Sequence, residues 1–258
     1  RNSRRLGWTR HIPPFGRSKI RCIRVPENLT QIAAKMKESR ADLGIVVDPD
    51  VDRLALISEN GEMFGEEYTL VAVADYVLKH TPGNTVSNLS SSRALKDVTE
   101  AYGQQYHAAA VGEVNVVAEM KRTHSVIGGE GNGGVIYPES HYGRDALVGV
   151  GLFLSHYVAQ SKKMTELKST YPPYFISKNK MTLSPDMDVD KILEGLKERY
   201  ATEKVTDIDG VKIDFAQGWV HLRKSNTEPI IRIYSEAKDE AAANQLAEEV
   251  IAAAKSTL

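Results

Sequence analysis

A chain of 258 residues, 41% hydrophobic and 26% charged, is long enough to bury a real core and is expected to divide into two or three globular units. No apolar run reaches the ~18 residues that span a bilayer, the first residues lack the apolar stretch of a secretory signal, and the one cysteine, Cys22, excludes an internal disulfide framework and fits a reducing cytoplasm. The net charge of −1 is unevenly spread, because Arg1, Arg4, Arg5, Arg10, Arg17, Lys19, Arg21 and Arg24 all precede the first acid, Glu27, and the acidic remainder offers no surface for nucleic acid.

Residues 1–25 show no hydrophobic periodicity and mix Trp8, Phe15 and Pro13-Pro14 into a basic background, so they are expected to be a leader, disordered or vector-derived, with a nucleic-acid-binding arm as the alternative. From Pro26 the character changes. A helix over 31–39 leads to an apolar, β-branched strand, Leu43–Val47, then the loop Asp48-Pro49-Asp50-Val51-Asp52-Arg53, a second strand, Leu54–Ser58, and the turn Asn60-Gly61. A helix at Glu66–His80 follows, then strand 85–89, helix 92–102, strand 105–111, helix 114–121 and strand 125–127. This alternation predicts an α/β unit with a mixed, mostly parallel sheet and flanking helices. Residues 145–160 read as a largely buried closing helix, and Thr170-Tyr-Pro-Pro-Tyr174 as a domain boundary. Beyond it, strand Phe175–Thr182, helix 189–200, strands near 211–215, 220–223 and 230–235 and a final helix from about 239 predict a small α+β C-terminal domain, its antiparallel sheet carrying two helices on one face. Ala241, Leu246, Val250 and Ala254 form the packing stripe of that last helix.

Three segments carry chemistry. In the Asp48–Arg53 loop, carboxylates at alternate positions can turn toward one point, where three such charges repel without a cation. Oxygen-only ligands favour Mg²⁺ or Mn²⁺, and Arg53 stands ready to hold a phosphate beside the ion. A solvated acidic turn is the plain alternative, and an EF-hand, with Glu59 in twelfth place, is disfavoured by Arg53 where glycine is needed. In Gly128-Gly129-Glu130-Gly131-Asn132-Gly133-Gly134, the glycines leave Glu130 and Asn132 as the side chains able to meet a ligand, a pair suited to sugar hydroxyls, with a structural turn as the alternative. In Arg223-Lys224-Ser225-Asn226-Thr227-Glu228-Pro229, with Arg232 beyond, the density of donors suits a dianionic phosphate, against an ordinary turn. Val111-Gly112-Glu113 is a weaker signal, a glycine turn opening a helix that could face an anion. Adjacent Ser140 and His141 cannot readily form a nucleophilic triad with Asp145.

These three motifs, in this order and at these separations, resemble the α-D-phosphohexomutases, a family that includes phosphomannomutase, phosphoglucomutase and phosphoglucosamine mutase. The resemblance runs from about Pro26 to the C-terminus. It implies Asp48, Asp50 and Asp52 as ligands of Mg²⁺, Arg53 as the catalytic residue beside the transferring phosphoryl group, Glu130 and Asn132 on the sugar, and Arg223, Ser225, Asn226, Thr227 and Arg232 on the substrate phosphate. It also implies that 26–63 closes the family's second domain, 64–170 is the third and 171–258 the fourth. The family's first domain carries a phosphoserine in a Ser-His-Asn context, and no such tripeptide occurs here, so the chain is expected to be a C-terminal portion. The implied activity interconverts hexose 1-phosphate and hexose 6-phosphate through that phosphoserine and a hexose 1,6-bisphosphate, in the cytoplasm, on a phosphorylated hexose and with no nucleic-acid or membrane partner. A metal and sugar-phosphate binding module and a Mg²⁺-dependent phosphatase using Asp48 are the alternatives. Asn132 stands where many phosphomannomutases have serine, and Thr227-Glu228-Pro229 is closer to phosphoglucosamine mutases, whereas Asn226 is closer to phosphomannomutases, so the hexose stays open. The basic residue that the family places near the 111–112 loop is absent; Glu113 and Asn115 stand there, with Lys121 and Arg122 further along.

Overall fold

The computed structural model describes residues 30–184, 187–225 and 228–256; the expected leader and the pair Asn226 and Thr227 lie outside the described residues. Helix α1 (Thr30–Ser39) packs Met36 onto a hairpin of β1 (Leu43–Val47) and β2 (Leu54–Ser58). Their register pairs Leu43 with Ser58 and Val47 with Leu54, so the acidic hexapeptide is the hairpin's connecting loop. All five residues of β2 are buried, since this strand lies between α1 and the main core.

Helix α2 (Glu66–His80) is buried on most of its surface. It covers a four-stranded sheet of order β4-β3-β5-β6, in which β3 (Thr85–Asn88) pairs in parallel with β4 (Tyr106–Ala109) and β5 (Ile127–Glu130), and β6 (Gly134–Ile136) returns antiparallel to β5. Helices α3 (Ala94–Ala101) and α4 (Glu113–Thr123) make the crossovers. The structure thus has the mixed, mostly parallel sheet that the alternation predicts. One strand is displaced from the sequence reading: β5 begins at Ile127 and takes in Gly128, Gly129 and Glu130. Its glycine content hides it, yet a Cβ at Gly128 would stand 2.6 Å from Met120 Sδ and 2.9 Å from Val86 O, so only glycine lets β5 lie against α4 and β3 this closely.

Helix α5 (Ala146–Gln160) starts where the Asp145 carboxylate caps Leu147 N at 2.8 Å and Val148 N at 3.0 Å. Phe153 packs edge-on to Phe64 at 5.3 Å. Burial is confined to one face, because Leu147 is 67% and Val158 74% exposed, less than a fully closing helix would show. A short helix, α6 (Met164–Lys168), precedes the C-terminal domain.

That domain is an antiparallel sheet of order β7-β11-β10-β9-β8, built from β7 (Phe175–Thr182), β8 (Lys204–Thr206), β9 (Val211–Asp214), β10 (Gly218–Lys224) and β11 (Ile230–Ala237). Helices α7 (Val189–Arg199) and α8 (Glu240–Ser256) pack on it through Ile192, Leu196, Leu246 and Val250. Ala243 rather than Ala241 completes the α8 stripe, since positions 243, 246, 247, 250 and 254 follow one helical face.

The two sheets meet at the loop that leaves β3. Lys212 Nζ donates to Leu89 O at 2.9 Å, Ser90 Oγ lies 2.8 Å from His221 Nδ1, and Arg93 donates through its backbone N to Glu236 Oε1 at 3.0 Å and through NH2 to Gly218 O at 2.8 Å. Val111 N adds a bond to Asp209 Oδ2 at 2.9 Å. Because Asp209 O can only accept, the 2.6 Å contact puts the His221 proton on Nε2 and leaves Nδ1 to accept from Ser90. Burial pushes the His221 pKa down to about 4. The folded imidazole is therefore neutral, whereas the unfolded one gains a proton below about 6.5. Stability tied to His221 is fully present above about pH 6.5 and is lost as pH falls toward 4, by on the order of 3 kcal/mol. The thermal midpoint should fall across that window, and His221→Gln should flatten the fall; equal slopes in both proteins would contradict this account.

Candidate functional site

The acidic loop is held by its own backbone. Asp48 Oδ1 accepts from Asp52 N at 3.1 Å and Arg53 N at 3.2 Å, and Val51 N donates to Asp48 O at 3.0 Å. Val51 takes a left-handed φ of 57°, a strained state for a β-branched residue. Ala146 N holds Val51 O at 3.1 Å, so the first turn of α5 supports the strained residue. One oxygen from each of Asp48, Asp50 and Asp52 then lies within 4.8 Å of the others, as the spacing predicts. Arg53 stands 4.0 Å from both Asp48 Oδ2 and Asp52 Oδ1.

Burial and the neighbouring Asp48 raise the Asp52 pKa, while Asp48, despite its own burial, is lowered by hydrogen bonds from Asp52 and the Arg53 backbone. Unequal acidity is the mark of carboxylates crowded together. Asp52 Oδ1 is buried and has no hydrogen-bond partner among the described residues. An all-oxygen set with one unsatisfied buried carboxylate oxygen fits a hard divalent cation such as Mg²⁺. The EF-hand alternative fails, since Glu59 is turned away to bond Thr165 Oγ1 at 2.5 Å.

A cavity of about 300 Å³ lies between the parallel sheet and the C-terminal sheet. One wall carries Glu130 and Asn132, with Asn88 at the end of β3 and Ser90 and Ser91 from the loop after it; the facing wall carries Lys178, Arg223, Arg232 and Tyr234. Glu130 is 4% exposed. Its Oε1 accepts from Asn88 Nδ2 at 2.8 Å and Gly112 N at 3.3 Å, and its Oε2 accepts from Arg144 NH1 at 2.6 Å. Asn132 turns its Oδ1 back to Gly134 N at 3.1 Å, which shapes the loop between β5 and β6. Across the gap Arg223 Nε is buried with no hydrogen-bond partner among the described residues, Arg232 NH2 reaches Glu228 at 3.0 Å, and Lys178 pairs with Glu66. Ser225 is buried at the end of β10 with its N–H on Ile230 O at 3.0 Å, and does not line the cavity.

Among the described residues, the structure brings Glu130, Asn132, Arg223 and Arg232 into one cavity, and keeps the acidic loop with Arg53 outside its lining. Several residues have no local sequence signal. Arg144 bridges the acidic loop and Glu130, with NH2 at 2.5 Å from Asp52 Oδ2. Glu67, another cavity residue, is held well above the usual carboxylate range by burial, with Glu66 and Glu236 adding to the effect. Asp145 caps α5 and Nε2 of exposed His141 lies 3.0 Å from its Oδ2, but no side-chain hydrogen bond joins Ser140 to His141 among the described residues, where Ser140 N donates to Tyr137 O at 2.9 Å.

Residues 65–174 match the family model described as phosphoglucomutase/phosphomannomutase, alpha/beta/alpha domain III, and residues 179–253 match that for the C-terminal domain of the same family. A phosphoglucomutase/phosphomannomutase of Thermococcus kodakarensis is 36% identical over 225 residues, covering 86% of this chain and 49% of its own length. A phosphoglucosamine/phosphogalactosamine mutase of Sulfurisphaera tokodaii is 32% identical, covering 87% of this chain and 50% of its own length. The crystal structure of a phosphoglucomutase/phosphomannomutase family protein from Burkholderia thailandensis superposes with a TM-score of 0.78 at 25% identity, over 90% of this chain and 50% of that one. The chain thus spans about half the length of the relatives it matches.

Mg²⁺ at millimolar concentration should raise the thermal midpoint of this chain, because a cation bound only to the folded loop stabilises it by mass action. Asp50 is exposed, so Asp50→Asn should abolish the Mg²⁺ response while leaving the cation-free midpoint within about a degree or two, consistent with surface substitutions costing little. A response to Mg²⁺ that survives in Asp50→Asn would remove Asp50 from the cation site.

Proposed function

The chain belongs to the phosphoglucomutase/phosphomannomutase family, and from that premise we propose that it supplies the metal, sugar and phosphate contacts of a phosphohexomutase whose phosphoserine lies outside these 258 residues. In this reading, 26–63 is the end of the family's second domain, 64–170 the third and 171–258 the fourth. In the same reading the intact protein is an intramolecular phosphotransferase of the cytoplasm. No helix among the described residues is long and apolar enough to cross a membrane.

The observation that carries this reading is the opposition of the cavity's two walls. A buried carboxylate and an amide suit the hydroxyls of a pyranose, and the guanidinium groups of Arg223 and Arg232, with Lys178 on the same wall, suit a phosphate. A hexose with phosphates at both ends fits such a cavity in either direction. The phosphoserine gives its phosphoryl group to the free hydroxyl of a hexose phosphate, forming a 1,6-bisphosphate. The bisphosphate reorients, and its other phosphate returns to the serine, leaving the isomeric hexose phosphate.

Asp48, Asp50 and Asp52 would hold Mg²⁺, which when bound neutralises charge on the phosphoryl oxygens. Arg53, beside that loop, holds the transferring group in line. Glu130 and Asn132 orient the sugar, and Arg223 and Arg232, with Asn226 and Thr227 of the same motif, grip the phosphate that is not reacting, while buried Ser225 supports the turn from outside the cavity lining. By itself the chain acts as a binding module for the cation and the sugar phosphate.

Calorimetric titration with glucose 1,6-bisphosphate in Mg²⁺ tests the reading. Arg223→Ala and Glu130→Ala should each weaken binding by about ten- to a hundredfold, the worth of a hydrogen bond to a charged group. Absence of heat with the wild-type chain at millimolar ligand, or equal affinities in the three proteins, would overturn the assignment of these walls.

A further inference from the structure

Arg144 is where the acidic loop and the sugar wall meet. Its backbone is fixed at the sheet edge by an antiparallel bridge to Ile136, one residue before the cap of α5. Only 14% of its side chain is exposed. NH2 lies 2.5 Å from Asp52 Oδ2, NH1 2.6 Å from Glu130 Oε2, and Nε 3.3 Å from Glu113 Oε2, while the backbone N donates to Glu113 Oε1 at 2.8 Å. One planar fork thus joins carboxylates from the β1–β2 loop, the end of β5 and the start of α4. The stem passes over Gly134, where a Cβ would stand 2.5 Å from Arg144 Cδ. A glycine is therefore kept where this side chain crosses.

We propose that Arg144 is a positioning residue that couples cation binding at the aspartate loop to sugar-phosphate binding at Glu130. This deepens the functional reading above and rests on it. By holding Asp52 Oδ2, Arg144 leaves for the cation the buried Oδ1, which has no hydrogen-bond partner among the described residues and only Arg53 Nε at 4.0 Å. By holding Glu130 Oε2, it fixes the carboxylate whose other oxygen Asn88 holds. The guanidinium carries one charge and is shared between the two sites. A cation that fixes Asp52 also fixes the guanidinium and, through NH1, the Glu130 carboxylate; a sugar phosphate that fixes Glu130 orders Asp52 through the same fork. By linkage the two effects are equal. A lysine cannot do this, because a point charge lacks the fork that spans both carboxylates.

The test is calorimetric titration of Mg²⁺ into this chain, with and without saturating glucose 1,6-bisphosphate, for wild type, Arg144→Met and Arg144→Lys. Far-UV circular dichroism and thermal melting establish that each variant is folded, and Arg144→Lys carries the comparison if Arg144→Met does not fold. In the wild type the sugar bisphosphate should tighten Mg²⁺ binding by ~10-fold, within the usual range of coupling. Arg144→Met should weaken Mg²⁺ binding by about 10- to 100-fold, as loss of a group that orients a metal ligand does, and bring the coupling factor near one; Arg144→Lys should restore neither. A wild type that binds both ligands, with an Arg144→Met that keeps affinity and coupling or binds Mg²⁺ more tightly, would overturn the proposal alone. So would full restoration by lysine. A wild type that binds neither ligand would instead overturn the functional reading on which the proposal rests.

Discussion

The binding cavity depends on a seam of directional bonds between two sheets that share no strand. The loop after β3 meets the C-terminal sheet through a buried lysine on Leu89 O, a neutral histidine on Ser90, and Arg93 on Gly218 and Glu236. Glu236 is fully buried and also accepts from Trp219 Nε1 at 2.7 Å. Apolar contact alone would let the sheets slide, whereas hydrogen bonds between buried groups lose most of their worth with small displacements. Removing one partner of such a charged set strands the other, at a cost of about 3–5 kcal/mol. These bonds set how the two walls of the cavity face each other. Lys212 shows how dry this seam is: burial lowers its pKa to about 8, although Asp214 and Glu236 favour its charge, and its ammonium also lies 4.3 Å from the Trp219 ring centroid.

Much of this was legible in the sequence where the signal is local. The strands at Leu43–Val47 and Leu54–Ser58 follow from short β-branched runs, and convergence of Asp48, Asp50 and Asp52 follows from their alternation. Glu130 and Asn132 stand out because glycines around them have no side chains to offer. Among the strands, one is displaced from its sequence reading and one escapes it, both for local reasons as well. The strand β5 is written partly in glycine, a residue that propensity removes from strands, and β8 is a three-residue edge too short to register as a period.

The residues that could not be read are those whose roles come from tertiary contact. Arg144 follows an unremarkable turn, and nothing near it indicates that its partners are Asp52, Glu113 and Glu130. Lys178 alternates with other residues on an ordinary strand, yet it faces the cavity beside Arg232. The helix α5 was expected to be buried because its fifteen residues carry no Asp, Glu, Lys or Arg. Composition reports how a helix tolerates burial and not which side receives it, so the exposed positions Leu147 and Val158 could only be found in three dimensions.

The closeness of Arg144 to Gly134 also constrains how this site can change over generations. With the Arg144 stem where it lies, a Cβ at 134 would stand 2.5 Å from Arg144 Cδ, so a side chain at 134 requires that stem to move. A lineage that puts a functional side chain at 134 must first give up Arg144 or move its stem, and a lineage that acquires Arg144 must already have glycine at 134. Substitutions at 134 and 144 therefore act on shared space, and their effects on the stability of this site are joined rather than additive.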